Sequence, residues 1–361
     1  MGEFAVDVKT VACATSTGTQ TITLTTDFGV PKAALFLWSF SQGDGTNSDH
    51  GVLGVGATNG TTQWAACVSC ENNVGTTDTF SHAQTDECVL IIDPTAISGA
   101  VNGEAAFSSF GTDQVVIDWG NAPASGYELT VVAFTGDATE FRCGTGTTSA
   151  TIGGEATIST GGTKSPQAMI LVASESGVDW EPGTAAVEGG RLTMGYGTYD
   201  TANIRQCGMG LGWPDGQSKG QTVLHVSSTR ALPLPTHDGL ALGGSEITRP
   251  QYEITGWGAS AFRLTTREAD TALNVGFLTI YCGDPALRAY TEVWDVPSGT
   301  GTKTYNLPAS EADFEPLFLL WGMTRMNTGS EDRNLTTALA GTAGWSCVAT
   351  VGEGHAQSAQ N

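Results

Sequence analysis

The sequence predicts an all-β protein made of tandem β-sandwich modules with a jelly-roll-like arrangement, and three observations support this fold class. Three segments each place an alternating polar and apolar run before a short turn and a continuous apolar run. Charged residues make up only 14% of the chain while glycine contributes 48 residues, a composition that disfavours solvated helices. Cys67, Cys207 and Cys347 recur at intervals of 140 residues. A unit that recurs in this way is expected to be part of the architecture rather than a catalytic motif.

The paired runs define early strands of each unit. An alternating run predicts a half-exposed strand, and a continuous apolar run predicts a strand buried on both faces. A proline at the entry of the buried run is tolerated because the first strand residue need not donate to the ladder. The pairs are residues 19–24 with 31–38, 156–159 with 166–173, and 303–307 with 314–321.

The repeat divides the chain into a first β-sandwich module at 1–143, a second at 144–284 and a partial third at 285–361. The first two close on Gly136-Asp137 and Gly283-Asp284, whereas the third reaches Asn361 without a counterpart of their closing strands. Half a sandwich would expose an apolar face and unpaired strand edges. We therefore expect two complete modules and a third that is either truncated, as in a fragment of a longer protein, or completed by another chain.

Each cysteine strand is followed by a short element that contains glutamine, at residues 81–84, 218–221 and 354–357. In this alignment His82 and His355 are equivalent, and the second unit has Lys219 at that position. Because lysine cannot replace histidine as an acid–base group at neutral pH, we expect the position to bond backbone rather than to catalyse. A buried strand then follows, at 88–92 in the first unit and 222–226 in the second.

The charge balance excludes several classes of function. Lysine and arginine total 15 against 37 aspartates and glutamates, which gives a formal net charge of −22. Such a surface repels nucleic acid and anionic membranes. The chain shows neither a signal-peptide pattern at Met1 nor an apolar run of membrane-spanning length. We therefore expect folding in the cytoplasm of the producing cell, with no nucleic-acid partner and no membrane insertion.

Four residues have the types and spacing of a structural zinc site, namely Cys67, Cys70, His82 and Cys88. Two observations weaken this interpretation. The other units have no second cysteine two residues after the first, and Cys67 and Cys70 would point to opposite faces of a strand. Free, buried thiols that pack as small apolar side chains are the expected alternative.

Two further groups are candidates for binding. Asp44, Asn47 and Asp49 form an oxygen-rich loop that could hold calcium, although the strict calcium-loop spacing is absent and a solvated hairpin tip is the commoner explanation. Four tryptophans near turns could stack on a sugar ring and are possible ligand-facing aromatics. They are Trp119, Trp180, Trp213 and Trp257. A second set, Trp38, Trp64, Trp321 and Trp345, lies in apolar strands and is expected in the core.

No residue pattern indicates catalysis. The sequence offers no histidine base with a paired nucleophile and orienting acid, and no glycine-rich phosphate loop before a helix. Asp113 and Asp118, the nearest approach to paired carboxylates, fit strand and turn positions. We predict a protein that is not an enzyme and needs no cofactor.

The order of these elements resembles a family. An alternating threonine-rich strand, the run from Pro31 to Trp38, a glycine-rich strand, a His-Ala-Gln segment and a closing Gly-Asp are similar to tandem-repeat virion structural proteins of marine and other tailed bacteriophages. The resemblance covers residues 19–137 and 304–361 well. It is weaker in the middle unit, where Gln167 replaces Lys32.

The resemblance implies a non-enzymatic virion structural protein on the particle surface, acting as a capsid decoration or fibre or as a tail-associated fibre. Its expected partners are other virion proteins, of the capsid or the tail, and copies of itself in a homo-oligomer. The expected location is the virion, after assembly in the host cytoplasm. The alternative is an adhesin module that binds a host-surface glycan or receptor, and a third interpretation is a depolymerase enzyme.

Overall fold

The structure is a computed structural model, and every described element in it is a β-strand of an antiparallel sheet. The prediction of an all-β protein is therefore confirmed. The described residues are 4–40, 50–71, 76–96, 98–124, 127–174, 180–199, 202–213, 215–216, 223–235, 250–268, 272–283, 288–293, 318–324, 343–351 and 355–360.

Ten strands in two sheets are formed by the described residues of unit 1. The strands are β1 (Ala5–Ala12), β2 (Gly18–Thr23), β3 (Ala33–Ser39), β4 (Gly51–Thr58), β5 (Gln63–Cys70), β6 (Thr79–Gln84), β7 (Val89–Ile92), β8 (Val101–Gly111), β9 (Gln114–Asn121) and β10 (Glu128–Thr135). Inner sheet 1 has the order β1-β10-β3-β4-β5-β6, and outer sheet 1 has the order β2-β9-β8-β7.

Unit 2 repeats this plan with one added strand. Its strands are β11 (Thr139–Thr147), β12 (Glu155–Ser159), β13 (Ala168–Ser174), β14 (Val187–Glu188), β15 (Gly190–Tyr199), β16 (Ile204–Trp213), β17 (Val223–Ser227), β18 (Leu232–Pro233), β19 (Gln251–Trp257), β20 (Ala261–Glu268) and β21 (Asn274–Cys282). Inner sheet 2 is β11-β21-β13-β15-β16-β17 and outer sheet 2 is β12-β20-β19-β18, while β14 joins the edge of inner sheet 1 beside β6.

Unit 3 has one described sheet of three strands. They are β22 (Phe318–Thr324), β23 (Ala343–Val351) and β24 (His355–Gln360), paired in that order. This sheet, called sheet 3 below, shares an antiparallel ladder with no strand of units 1 and 2 among the described residues.

Units 1 and 2 stack as four layers, with the two inner sheets in the middle. Apolar clusters fill the space between outer and inner sheet 1, between the two inner sheets, and between inner and outer sheet 2. Along β3, Leu35 and Leu37 face the central core while Phe36 and Trp38 face outer sheet 1. The strand is buried on both faces, as its continuous apolar sequence predicts.

The jelly-roll part of the prediction is not confirmed. A jelly roll interleaves its strands through two Greek keys, whereas β3 to β6 pair consecutively as a meander, as do β13, β15, β16 and β17.

The predicted boundary at 143/144 falls inside β11, which pairs with β21 over its whole length. The chain therefore passes from unit 1 to unit 2 between β10 and β11.

Two glycines mark equivalent positions in the inner sheets. A Cβ atom at Gly56 would lie 2.0 Å from the carbonyl oxygen of Cys88, and one at Gly195 would lie 1.9 Å from that of Ala231. No side chain fits either place. The strand that follows Ala231, β18, is consequently the counterpart of β7, and β17 takes the place of β6. The expected match of 222–226 with 88–92 is therefore wrong by one strand.

The same glycines set the register of the cysteine strands. Gly56 lies opposite Ala65, and Gly195 lies opposite Gly208. Counting back one residue, Cys207 occupies the position of Trp64 rather than that of Cys67. The expectation that Cys67 and Cys207 are equivalent is wrong, because a shift of an odd number of residues reverses the face to which a strand side chain points.

The histidine assignment changes in the same way. Cys67 lies opposite His82, and the matching residue Gly210 lies opposite His225. Both histidines are fully buried. His225 is therefore the counterpart of His82 in unit 2, whereas the expected counterpart, Lys219, lies outside the described residues.

Lys32 and Gln167 hold the last strand of their units in the same way. The Lys32 ammonium donates to the carbonyl oxygen of Gly136. Gln167 donates through Nε2 to the carbonyl oxygen of Cys282 at 2.7 Å and accepts from its backbone N–H at 2.6 Å. Either side chain satisfies the same strand end, which explains why the replacement leaves the fold intact.

We expect Lys32→Gln to change the free energy of unfolding by less than about 0.5 kcal/mol and Lys32→Ala to lower it by about 1 kcal/mol, the usual contribution of one hydrogen bond. Urea denaturation measures both. Lys164→Ala, at an exposed site, is the control for loss of a surface lysine. A Lys32→Gln variant as unstable as Lys32→Ala would contradict the equivalence.

Candidate functional site

The four zinc candidates do not converge. Cys67 and Cys88 lie in the core beneath outer sheet 1, and His82 is paired with Cys67 across the strands. Cys70 is three residues from Cys67 on β5 and points to the opposite face. No group of three or more histidine, cysteine or acidic side chains suited to a metal forms within the described residues. The calcium candidates Asp44, Asn47 and Asp49 lie outside those residues.

The described cysteines are free and buried, which confirms the expectation of packed thiols for these positions. They are Cys13, Cys67, Cys70, Cys88, Cys143, Cys207 and Cys282. Burial raises the pKa of Cys207 to about 11 and the pKa of Cys13 and Cys70 to about 12. Burial also raises the pKa of Cys67, Cys88 and Cys143. Since the thiolate is the nucleophile, we expect buried thiols of this kind to react slowly in the folded protein.

We expect no reaction of these seven thiols with Ellman's reagent at pH 8 in the native protein, and complete reaction in denaturant. The measurement is made in a Cys347→Ser background, because the Cys347 side chain lies outside the description. A thiol that reacts within seconds in the native state would show that its strand opens readily.

Two of the four ligand-facing tryptophan candidates are buried. Trp119 and Trp180 are each 1% exposed, so neither indole can stack on a ligand from solvent, and this part of the prediction is wrong. Trp119 lies under outer sheet 1 and donates through Nε1 to the Gln20 Oε1 at 2.8 Å. Trp180 lies in the central core, 6.4 Å from Trp64 between ring centroids. Both rings lie next to turns in the sequence, but they pack in the core and do not form a ligand-binding surface.

The other two candidates, Trp213 and Trp257, are partly exposed, and the ring of each contacts other residues. The Trp213 ring lies against the backbone of unit 1, where a Cβ at Gly51 would approach it to 2.9 Å. Trp257 stacks on Tyr199 with ring centroids 6.0 Å apart and planes at 21°, and its Nε1 donates to the carbonyl oxygen of Pro166 at 2.7 Å. The Trp257–Tyr199 stack is therefore the best-placed aromatic surface among the predicted candidates.

The interface between units 1 and 2 combines a buried aromatic contact with hydrogen bonds. Trp64, fully buried, inserts its ring above Gly276 of β21 and donates through Nε1 to the carbonyl oxygen of Phe277 at 3.0 Å. A Cβ atom at Gly276 would lie 2.6 Å from the ring, so only glycine leaves room for it. Sequence reasoning placed Trp64 in the core, but nothing in the sequence pairs it with a glycine more than 200 residues away.

Polar contacts from the turn between β4 and β5 extend this interface. Thr62 donates through Oγ1 to the carbonyl oxygen of Cys143 at 2.6 Å, and Asn59 donates through Nδ2 to that of Phe141 at 3.3 Å. Asn59 also accepts from the backbone N–H groups of Thr61 and Thr62, which fixes the turn. The turn therefore reaches β11 with its hydrogen bonds already oriented.

Unit 2 also covers an open edge of unit 1. The strand β14 pairs with β6, and Ser81 donates through Oγ to the carbonyl oxygen of Gly189 at 2.7 Å while accepting from the N–H of Arg191 at 2.9 Å. The Asp215 carboxylate accepts from the backbone N–H of Thr79 at 2.9 Å. Covering an edge in this way prevents pairing with other chains.

Glu87 has the most perturbed carboxyl among the described acidic residues. Partial burial and then the neighbouring Asp86, Glu104 and Asp118 raise its pKa from 4.5 to about 8. Its Oε2 atom is buried without a hydrogen-bond partner among the described residues. A carboxylic acid that stays protonated near neutral pH is a candidate proton donor. The described residues around it supply no metal-binding cluster to complete a catalytic site.

The raised pKa of Glu87 predicts a pH-dependent stability. The folded state holds a proton that the unfolded state releases, so stability is fully present below pH 4.5 and declines as the pH rises toward 8. We expect Glu87→Gln to be more stable than the parent at pH 9 by about 1–2 kcal/mol, a value discounted for partial exposure, and equal to it at pH 4. Thermal unfolding across this range measures the difference. Glu188→Gln, at an exposed site, should show no such trend.

No family model, no curated protein and no solved structure matches this chain. Within the part of the chain that the structure describes, no helix is long and apolar enough to cross a membrane.

Proposed function

We propose that this chain is a non-enzymatic structural protein on the surface of a tailed-phage virion, as a capsid decoration or fibre or as a tail-associated fibre. The observation that carries the proposal is the buried interface between units 1 and 2. Apolar side chains of both units share one core, with Trp64 seated over Gly276. Repeats joined in this way form a stiff body, whereas repeats on flexible linkers move independently.

The chemistry of the side chains supports a structural role. The groups that most often catalyse, cysteine and histidine, are largely buried: seven thiols lie in cores, and His82 and His225 are fully buried. Burial lowers the pKa of His82 and so favours its neutral form. The net charge of −22 favours a surface that stays soluble and does not adhere to nucleic acid. The proposed partners are other virion proteins, and the proposed location is the virion after assembly in the host cytoplasm.

Mass spectrometry of purified particles, from a phage whose genome encodes this chain, tests the proposal. We expect the protein to copurify with infectious particles through a density gradient, at a constant number of copies. Hundreds of copies would indicate capsid decoration, and a few to tens would indicate a tail fibre. Absence of the protein from gradient-purified particles would overturn the proposal.

A glycan-binding adhesin is the second candidate, and the Trp257–Tyr199 stack is the observation that favours it. Both rings are partly exposed, and an accessible aromatic face can stack on a pyranose ring. Glycan-array binding by the multimerised protein that is lost in Trp257→Ala would support this function. Trp213→Ala is the control, because its ring contacts unit 1.

A further inference from the structure

Inner sheet 1, inner sheet 2 and sheet 3 contact one another in a cycle. In unit 1, β5 and β6 contact β13 and β15 of unit 2. In unit 2, β16 and β17 occupy the places of β5 and β6, and they contact β22 of unit 3. In unit 3, β23 and β24 contact β1 of unit 1. In each unit, strands that come late in the chain order of its sheet thus contact a strand that comes earlier in the order of the next unit's sheet.

We propose that the three units close into a ring about a pseudo-three-fold axis, so that one chain takes the place of a homotrimer. The contact is head-to-tail, since a unit uses different strands toward its two neighbours. Head-to-tail contacts give a closed ring when the rotation between units closes, and an open filament otherwise. Here the third contact returns to β1, so the rotation closes at three.

The shared core supports closure. Leu320 of β22 is partly buried and packs against the apolar cluster between the two inner sheets. That cluster reaches the open side of inner sheet 1 through Val6 and Val8 of β1. Since β23 and β24 contact the same strand, sheet 3 lies where the core between inner sheets 1 and 2 would otherwise meet solvent.

The chain that leaves unit 2 runs along this side. Thr291 lies with its Oγ1 3.0 Å from the Sγ of Cys207, and the Arg205 guanidinium lies 5.0 Å from the ring centroid of Tyr290. Both contacts are made to β16, one of the two strands that meet β22. The segment 288–293 therefore directs the chain from unit 2 toward the place that sheet 3 occupies.

A ring of this kind fits a partner surface with local three-fold symmetry. This part of the inference rests on the proposed function, because the partner is then a shell of repeated subunits. A chain that replaces a trimer would occupy each local three-fold position once, or one chain for every three shell subunits. A homotrimeric decoration would instead be present in equal number with them.

Two measurements on the purified full chain test the ring itself. Native mass spectrometry should give 37.3 kDa, the mass of one chain, at all concentrations tested. A stable trimer would overturn the proposal. For contact mapping, Thr10→Cys places an accessible thiol on β1, where Thr10 is exposed. In the Cys347→Ser background that thiol can carry a benzophenone cross-linker selectively, because the other described thiols are buried.

The expected cross-links join position 10 to residues 343–360 of the same chain. Cross-links confined to units 1 and 2, or formed between chains in a mixture of light and heavy isotopes, would overturn the ring. Gly120→Cys is the control, since it is exposed on outer sheet 1 with no atom within 4 Å of its Cβ. Particle stoichiometry is separate: absence from particles would sink the proposed function, whereas presence at equal number with shell subunits would sink only the three-fold docking.

Discussion

Trp64→Ala is expected to lower the free energy of unfolding by about 3–5 kcal/mol, the usual range for deleting a buried aromatic side chain. The ring is fully buried. It fills the space above Gly276, and its Nε1 donates to the carbonyl oxygen of Phe277. Removal leaves a cavity and deletes the hydrogen bond from the Trp64 Nε1 to Phe277 at the interface between units 1 and 2. The loss therefore falls on the contact that joins the units.

Calorimetry separates this loss from ordinary core damage. Trp38 is also fully buried, but it lies in the core between inner and outer sheet 1. Trp38→Ala should destabilise unit 1 alone, while Trp64→Ala should split one unfolding transition into two as the units lose their coupling. A single transition of unchanged cooperativity in Trp64→Ala would contradict the claim that this side chain couples them.

Gly276→Ala is expected to lower the free energy of unfolding by about 1–3 kcal/mol, as overpacking of a filled core does. The added methyl group would lie 2.6 Å from the Trp64 ring, which is held by its own hydrogen bond and packs near the ring of Trp180. Neither partner can move without opening the interface. Chemical denaturation measures the change.

A double-mutant cycle shows whether the effect passes through Trp64. In a Trp64→Leu background the smaller side chain leaves room for the methyl group, so Gly276→Ala should cost less there than in the parent. Gly120→Ala is the matched control, because nothing lies within 4 Å of its Cβ. Equal costs in both backgrounds would show that the methyl group strains something other than this contact.

Sequence patterns predicted strands well and their equivalences poorly. The continuous apolar run at 31–38 predicts a strand buried on both faces, and β3 is one, because period and burial are properties of the strand itself. The cysteine spacing misled, because loop lengths differ between units and only the cross-strand register, fixed by Gly56 and Gly195, shows which residues correspond. Local sequence carries no record of register with a distant strand.

The candidate sites show the same difference between what local sequence predicts and what depends on distant strands. The sequence predicts that Cys67 and Cys70 point to opposite faces, because side chains three residues apart on a strand do so. The burial of Trp119 and Trp180 depends on which sheet covers them, and no local pattern states that. The raised pKa of Glu87 arises first from burial and then from Asp86, Glu104 and Asp118, so it too becomes visible only in the fold.

The strand that unit 2 adds beside β6 has a consequence for synthesis. The edge of inner sheet 1 is complete only when Val187 and Glu188 have left the ribosome, about 100 residues after Gln84. At about 5–20 residues per second, that edge stays open for roughly 5–20 s on every nascent chain. Ribosomes that translate the same message close together therefore hold many half-finished sheets near one another, and the lag sets the period in which a chaperone bound to the nascent chain would have to shield them.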